Sequence, residues 1–173
     1  MPRISRPDMA DYGVPDELEG TMPWSWAEER LAASRNFWLA TVSATGRPHS
    51  MPVWGVWMPG RERFGFSCAK SARKVRNIAA NPRVVVTNDD SVHVVSIEGR
   101  AVDLEPDGEL TLAEGYLHKY ADEPGFADGG VDAMIEFLRA NATYEVIPER
   151  AFGMIETPEE FGAAATRWTW DQP

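Results

Sequence analysis

Between residues 36 and 104 the chain passes through five strand-length segments and only one short helical pattern. The segments are 36–43 (NFWLATVS), 48–58 (PHSMPVWGVWM), 61–67 (RERFGFS), 83–88 (RVVVTN) and 92–104 (VHVVSIEGRAVDL). Their β-branched and aromatic side chains suit a pleated, half-buried surface, and the turn residues between them mark strand ends. Ala44-Thr45-Gly46-Arg47 and Pro59-Gly60 read as tight connections between neighbouring strands, with glycine available for a positive φ. A doubly wound parallel sheet needs a helix after nearly every strand, and only 71–81 supplies one here. The expected class is mainly β with peripheral helices, a mostly antiparallel barrel.

The remaining elements follow from local signals. Ser25 with Glu28 three residues on fits a capping box, which predicts a helix over 26–34. Ser71 is the expected N-cap of the helix 71–81, Val75, Ile78 and Ala79 form its apolar stripe, and Asn81-Pro82 ends it. Helices are expected over 107–120 and 131–140, one or two strands interrupted by Pro148 over 142–156, and a last short strand over 166–171. Pro52 removes a ladder donor, so it marks an edge, a bulge or a binding surface, and Gly99 marks a bulge or bend. Residues 1–23 are rich in Pro, Asp, Glu and Gly without a period and read as an extended arm. Residues 24–173 read as a single domain, and 43% hydrophobic residues are enough for one core.

Charge narrows the function classes. The formal net charge of −10 opposes a phosphate backbone, so nucleic acid is not an expected partner. No apolar run is long enough for a membrane span, and the basic start Met1-Pro2-Arg3 has no apolar stretch behind it, so neither a span nor a secretory leader is expected. Cys68 stands alone, and His49, His93 and His118 have no ligand spacing, so no disulfide and no metal site are expected. These features together read as cytoplasmic.

The charge is also unevenly placed. Residues 61–83 hold Arg61, Arg63, Lys70, Arg73, Lys74, Arg76 and Arg83 against one acid, Glu62, whereas 98–123 hold eight acids against Arg100 and Lys119. Within the basic stretch, Ser67-Cys68-Ala69-Lys70-Ser71-Ala72-Arg73-Lys74 runs from a strand end through a turn into a helix start. A helix start presents unpaired N–H groups and a partial positive charge, and two further cations there call for an anion. A dianionic phosphate satisfies Arg73 as a fork and Lys74 as a point charge, with Lys70 able to close the same site. The alternative is a solvated basic helix face. Most of the seven tryptophans read as core or interface. Trp54, on the second strand beside the phosphate segment, is the candidate flat wall for a planar ring.

The run Phe37 to Val42, Gly46-Arg47-Pro48-His49-Ser50-Met51-Pro52-Val53-Trp54, Phe66-Ser67, Ser71 to Val84 and Glu98-Gly99-Arg100-Ala101 resembles the pyridoxamine 5′-phosphate oxidase-like split β-barrel proteins. It looks most similar to the branch that uses flavin or the deazaflavin coenzyme F420. The likeness covers about residues 25–105, and its most specific part is Arg-Lys-x-x-x-Ile-x-x-Asn-Pro-x-Val. It implies a six-stranded, Greek-key-like split barrel in a homodimer, with cofactor sites at the interface. It implies that Arg73 and Lys74 grip the cofactor phosphate with Ser67 and Lys70, that Met51, Pro52, Val53 and Trp54 line the ring, and that Arg167 and Trp168 reach the site from the partner subunit. The C-terminal Arg-x-His pattern of pyridoxamine phosphate oxidase itself is replaced by Thr166-Arg167-Trp168, which argues against vitamin B6 synthesis. The expected activity is hydride transfer from reduced F420, or alternatively FMN, to an unsaturated small molecule. Arg61, Arg63 and Arg76 would form a groove for the F420 polyglutamate tail. A non-catalytic flavin or tetrapyrrole binder of the same fold is the alternative.

Overall fold

The computed structural model describes residues 1–124, 126 and 128–171. Nine strands pair, all antiparallel. They are β1 (Arg3–Ser5), β2 (Phe37–Val42), β3 (Pro48–Val53), β4 (Gly55–Met58), β5 (Arg63–Cys68), β6 (Arg83–Asn88), β7 (His93–Asp103), β8 (Ala142–Ile155) and β9 (Thr166–Thr169). The helices are α1 (Trp24–Ala33), α2 (Arg73–Ala80), α3 (Pro106–Lys119), α4 (Gly130–Ala140) and α5 (Phe161–Ala164). Pairing follows β3-β2-β6-β7-β8-β5-β4, and β3 runs into β4 through Trp54 alone. The ring therefore closes through the covalent chain rather than through a ladder. Counted with β3–β4 as one bent strand, six strands make the barrel, and β1 and β9 extend it along β8.

Several expectations change in detail. The strand expected over 48–58 is broken at Trp54 into β3 and β4. The helices expected to begin after Ser25 and Ser71 begin at Trp24 and Arg73, with Pro23 and Ala72 at the cap positions and no side-chain cap. Pro148 does not split its segment. β8 is continuous, and Pro148 sits opposite Gly99 where the β7–β8 register shifts by one residue, so its missing N–H falls at a bulge. A Cβ on Gly99 would lie 2.2 Å from the Ile147 oxygen, so this crossing demands glycine.

Phe37, Leu39, Phe64, Phe66, Val86, Ile97 and Val146 fill the barrel. Trp24 packs edge-on against Trp57, Trp168 and Trp170 with ring centroids 5.3, 5.2 and 4.8 Å away, closing one end. A second core of Val56, Met58, Leu112, Tyr116, Tyr120, Met134 and Leu138 seats α3 and α4 against β4. The first residues, expected as an extended arm, belong to the sheet: Arg3–Ser5 pair with β9. Buried Arg6 donates to the carbonyls of Glu17, Glu19, Ala163 and Ala165 at 2.8, 2.6, 2.7 and 2.7 Å. Among the described residues no helix is long and apolar enough to cross a membrane.

Candidate functional site

The break at Trp54 opens a cleft of about 260 Å³ between the end of β3 and the end of β5. Pro52, Val53 and Trp54 form one wall, Ser67, Cys68 and Lys74 the other, and Tyr116, Phe126 and Phe137 come from the α3–α4 side. Five of the residues expected to hold a cofactor (Pro52, Val53, Trp54, Ser67 and Lys74) thus meet in one place. Met51 lies beside them on β3, opposite Leu39 and 45% exposed. Arg73 is exposed at the first position of α2.

The other expected residues fall elsewhere. Lys70 lines a neighbouring cleft with Asp103, Glu109, Arg139 and Thr143. Trp168 is fully buried behind Trp24, and its indole N–H donates to the Met22 carbonyl at 3.2 Å. It is a core residue and has no exposed surface to offer a ligand. Arg167 donates to Ser5 Oγ at 3.0 Å. The basic groove expected from Arg61, Arg63 and Arg76 does not assemble. Arg61 pairs with Asp107 at 2.9 Å and Glu145 at 3.2 Å, Arg63 donates to the carbonyls of Arg61 and Glu62, and Arg76 donates to the Ser71 carbonyl.

Trp54 contributes differently than a free wall would. Tyr120 stacks on it with centroids 4.7 Å apart and planes 10° apart, Phe126 packs edge-on at 5.3 Å, and the Arg35 guanidinium lies 5.0 Å from its centroid. These neighbours fix the indole, so the cleft is bordered by a rigid aromatic stack rather than by one mobile ring.

The turn and the hairpin add two residues that the sequence placed in a connection and a strand. The side chain of His49, opposite Thr41 on β3, is held below the usual imidazole range by desolvation and by the charges of Arg73, Lys74 and Arg47. Its Nδ1 is buried without a hydrogen-bond partner among the described residues. Arg47, at the β2–β3 turn, therefore joins the α2 cations around one point. The buried Asn77 amide of α2 donates to Thr41 Oγ1 at 2.9 Å, and that hydroxyl donates to the His49 carbonyl at 3.3 Å. This chain of contacts fixes the start of α2 over the hairpin. Arg47 and His49 carry no motif of their own; only strand register brings them to α2.

Arg30, Arg35, Arg61, Arg100, Arg139 and Arg150 all have carboxylate partners. Arg47, Lys70, Arg73, Lys74 and Arg76 have none within 4.0 Å among the described residues, in a chain of net charge −10. Of these, Arg47, Arg73 and Lys74 converge on His49, where an anion would complete the set. A larger groove of about 470 Å³ lies on the outer face of β2, β6 and β7, but there Glu98 and Glu149 are already matched by Arg150 and Arg100. Arg83 lines it too, a single exposed cation with no carboxylate partner within 4.0 Å among the described residues.

Cys68 and Tyr116, which line the cleft, are weak acids near neutral pH. Burial pushes the Cys68 thiol up, partly offset by Lys74. Burial also pushes the Tyr116 phenol far up, and its hydroxyl is committed to the backbone, accepting from Ser67 N–H at 3.1 Å and donating to the Trp54 carbonyl at 3.0 Å. Thr143 Oγ1 lies 2.7 Å from the Leu138 carbonyl and 3.0 Å from Ser67 Oγ. The carbonyl takes the threonine proton, which leaves Ser67 to donate to Thr143.

A family model described as pyridoxamine 5′-phosphate oxidase matches residues 26–144, more than half of the chain and the whole of the cleft described above. The chain belongs to the pyridoxamine 5′-phosphate oxidase family. Among solved structures of this fold, an F420 reductase is 25% identical, covering 72% of this chain and 94% of its own, with a TM-score of 0.53. The heme storage protein HutZ of Vibrio cholerae is 21% identical over 75% of this chain and 93% of its own, TM-score 0.55. An FAD-binding protein of Mesorhizobium loti is 16% identical over 87% of this chain and 96% of its own, TM-score 0.55. No curated protein matches the chain at a significant level.

Proposed function

We propose that the chain is a flavin- or deazaflavin-dependent oxidoreductase that seats the cofactor ring in the Trp54 cleft and its phosphate on Arg73 and Lys74. The observation that carries this reading is the group of unpaired cations at the mouth of an aromatic cleft in an acidic chain. The bound cofactor would supply hydride for an electron-poor unsaturated substrate. The protein's own residues bind and orient: Lys74 and Arg73 hold the anion, the backbone of Pro52–Trp54 borders the ring, and Phe126 and Phe137 keep water from its edge. No side chain of the cleft is poised to donate a proton, so water supplies it. We propose a cytoplasmic homodimer in which the outer face of β2 and β3, where Trp38 is 49% exposed beside Pro52, meets its copy.

F420 remains the favoured cofactor over FMN. The groove foreseen for its tail is not assembled, so the preference rests on the F420 reductase among the structural neighbours. The heme-storage neighbour motivates a tetrapyrrole alternative. The cleft has no histidine among its described lining residues to serve as an axial ligand. Side-by-side titration with FMN, F420 and hemin tests all three. Saturable binding of F420 or FMN is expected; a Soret band on hemin addition with neither of the others bound would refute the reading. Sedimentation of the same samples is expected to show a dimer.

A further inference from the structure

In an antiparallel ladder, pairs that exchange backbone hydrogen bonds alternate with pairs that do not. Gly55 is opposite Phe66 at the cleft end of the β4–β5 ladder. Its N–H donates at 2.9 Å to the Tyr120 hydroxyl, whose own proton lies within reach of the Arg35 and Gly55 carbonyls at 2.9 and 3.1 Å. Gly55 therefore turns its polar groups away from β5, and its pair with Phe66 is a non-bonded one. The next pair toward the cleft, Trp54 with Ser67, is the one whose backbone groups face each other. A direct bond there would span about 2.9 Å. Instead Ser67 N–H donates to the Tyr116 hydroxyl at 3.1 Å, and that hydroxyl donates to the Trp54 carbonyl at 3.0 Å.

We propose that Tyr116 is a wedge: its hydroxyl, delivered by α3, stands in for one rung of the β4–β5 ladder, ends the pairing and sets the width of the cleft. Tyr120, one helical turn on, takes up the backbone groups that the parting leaves on Gly55. α3 holds the wedge at a fixed depth, because Gly115 lets the helix touch β4; a Cβ there would lie 2.6 Å from Val56 Cγ1. Burial keeps the phenol protonated, so it serves as donor and acceptor together. Tyr116 is thus a positioning residue for the ring, a role that rests on the cofactor reading above, whereas its role in parting the strands stands without it.

Tyr116→Phe tests both. In a crystal structure of that variant Ser67 N is expected about 3 Å from the Trp54 oxygen, and affinity for whichever of FMN and F420 the wild type binds is expected to fall roughly tenfold or more. Tyr120→Phe removes a hydroxyl from the residue that caps the end of α3, not from between the two strands. It is expected to lower the melting temperature, leave Ser67 and Trp54 apart, and change affinity less than about threefold. A Tyr116→Phe structure in which the strands stay parted overturns the wedge, as does an equal loss of affinity in both variants. If the wild type binds neither cofactor, the cofactor reading fails while the crystallographic distance still decides the wedge. If Tyr116→Phe does not fold, hydrogen exchange of the wild type decides: the Ser67 amide is expected to exchange together with α3, on which its acceptor rides, and exchange in step with the ladder amides of β5 overturns the proposal.

Discussion

Replacing Lys74 by alanine should weaken cofactor binding selectively through the phosphate. Lys74 lines the cleft and is half-buried, and its charge reaches both the Cys68 thiol and the His49 ring. A hydrogen bond to a charged group contributes about 1.5–3 kcal/mol, and partial solvent exposure places Lys74 at the lower end. With about 1.4 kcal/mol per decade, Lys74→Ala should raise Kd roughly ten- to thirtyfold. Arg73 is exposed, so Arg73→Ala should cost less, about three- to tenfold. Arg76, whose guanidinium is turned to the Ser71 carbonyl, should change Kd less than about twofold and serves as the control. Calorimetric titration with FMN and with riboflavin, which has the ring but no phosphate, separates the contributions. Lys74→Ala should lower affinity for FMN and leave that for riboflavin, and the FMN effect should shrink with added salt. An unchanged Kd for FMN, or an equal loss for riboflavin, would refute a phosphate on α2.

Two further outcomes follow from the geometry. Gly99→Ala would press a methyl group onto the Ile147 carbonyl. It should destabilise the fold by about 2–4 kcal/mol, read as a fall in the urea midpoint at unchanged slope. His49 is held below its ordinary value of 6.5 in the folded state, so on acidification the unfolded chain takes up the proton first. The empty protein should lose stability as pH falls through about 6.5, and His49→Gln should flatten that part of the curve. A dianion bound to the neighbouring cations should oppose the loss, and identical pH–stability curves for wild type and His49→Gln would dispose of the argument.

Strand positions were legible because their chemistry is local. Valine-rich 83–88 and the Gly46 and Gly60 turns carry their own instructions, and so does the bulge at Gly99. The break at Trp54 was not, since Pro52 marked only an edge, a bulge or a binding surface; the tyrosine that bridges the parted strands stands 62 positions away in sequence on α3. The basic segment 67–77 was legible as a cluster of charge, and its Lys74 lies on the cleft. Arg47 and His49 were hidden because a turn residue and a strand histidine become neighbours of α2 only through the β2–β3 register. Trp168 shows the opposite failing. Its role came from likeness rather than from its apolar surroundings, and the surroundings place it in the core.

The pairing of β1 with β9 has a bearing on how the chain is assembled. The carbonyls that receive Arg6 belong in part to residues 163 and 165, and the strand that receives residues 3–5 is formed by 166–169. Residues near the start therefore stay untethered until nearly the whole barrel has been synthesised, and they dock last. A translation product halted before residue 160 would keep every wall of the Trp54 cleft while Arg3–Ser5 and Arg6 lack the strand and the carbonyls of residues 163 and 165 that hold them here. The seam between β1 and β9 thus closes only where both segments are present.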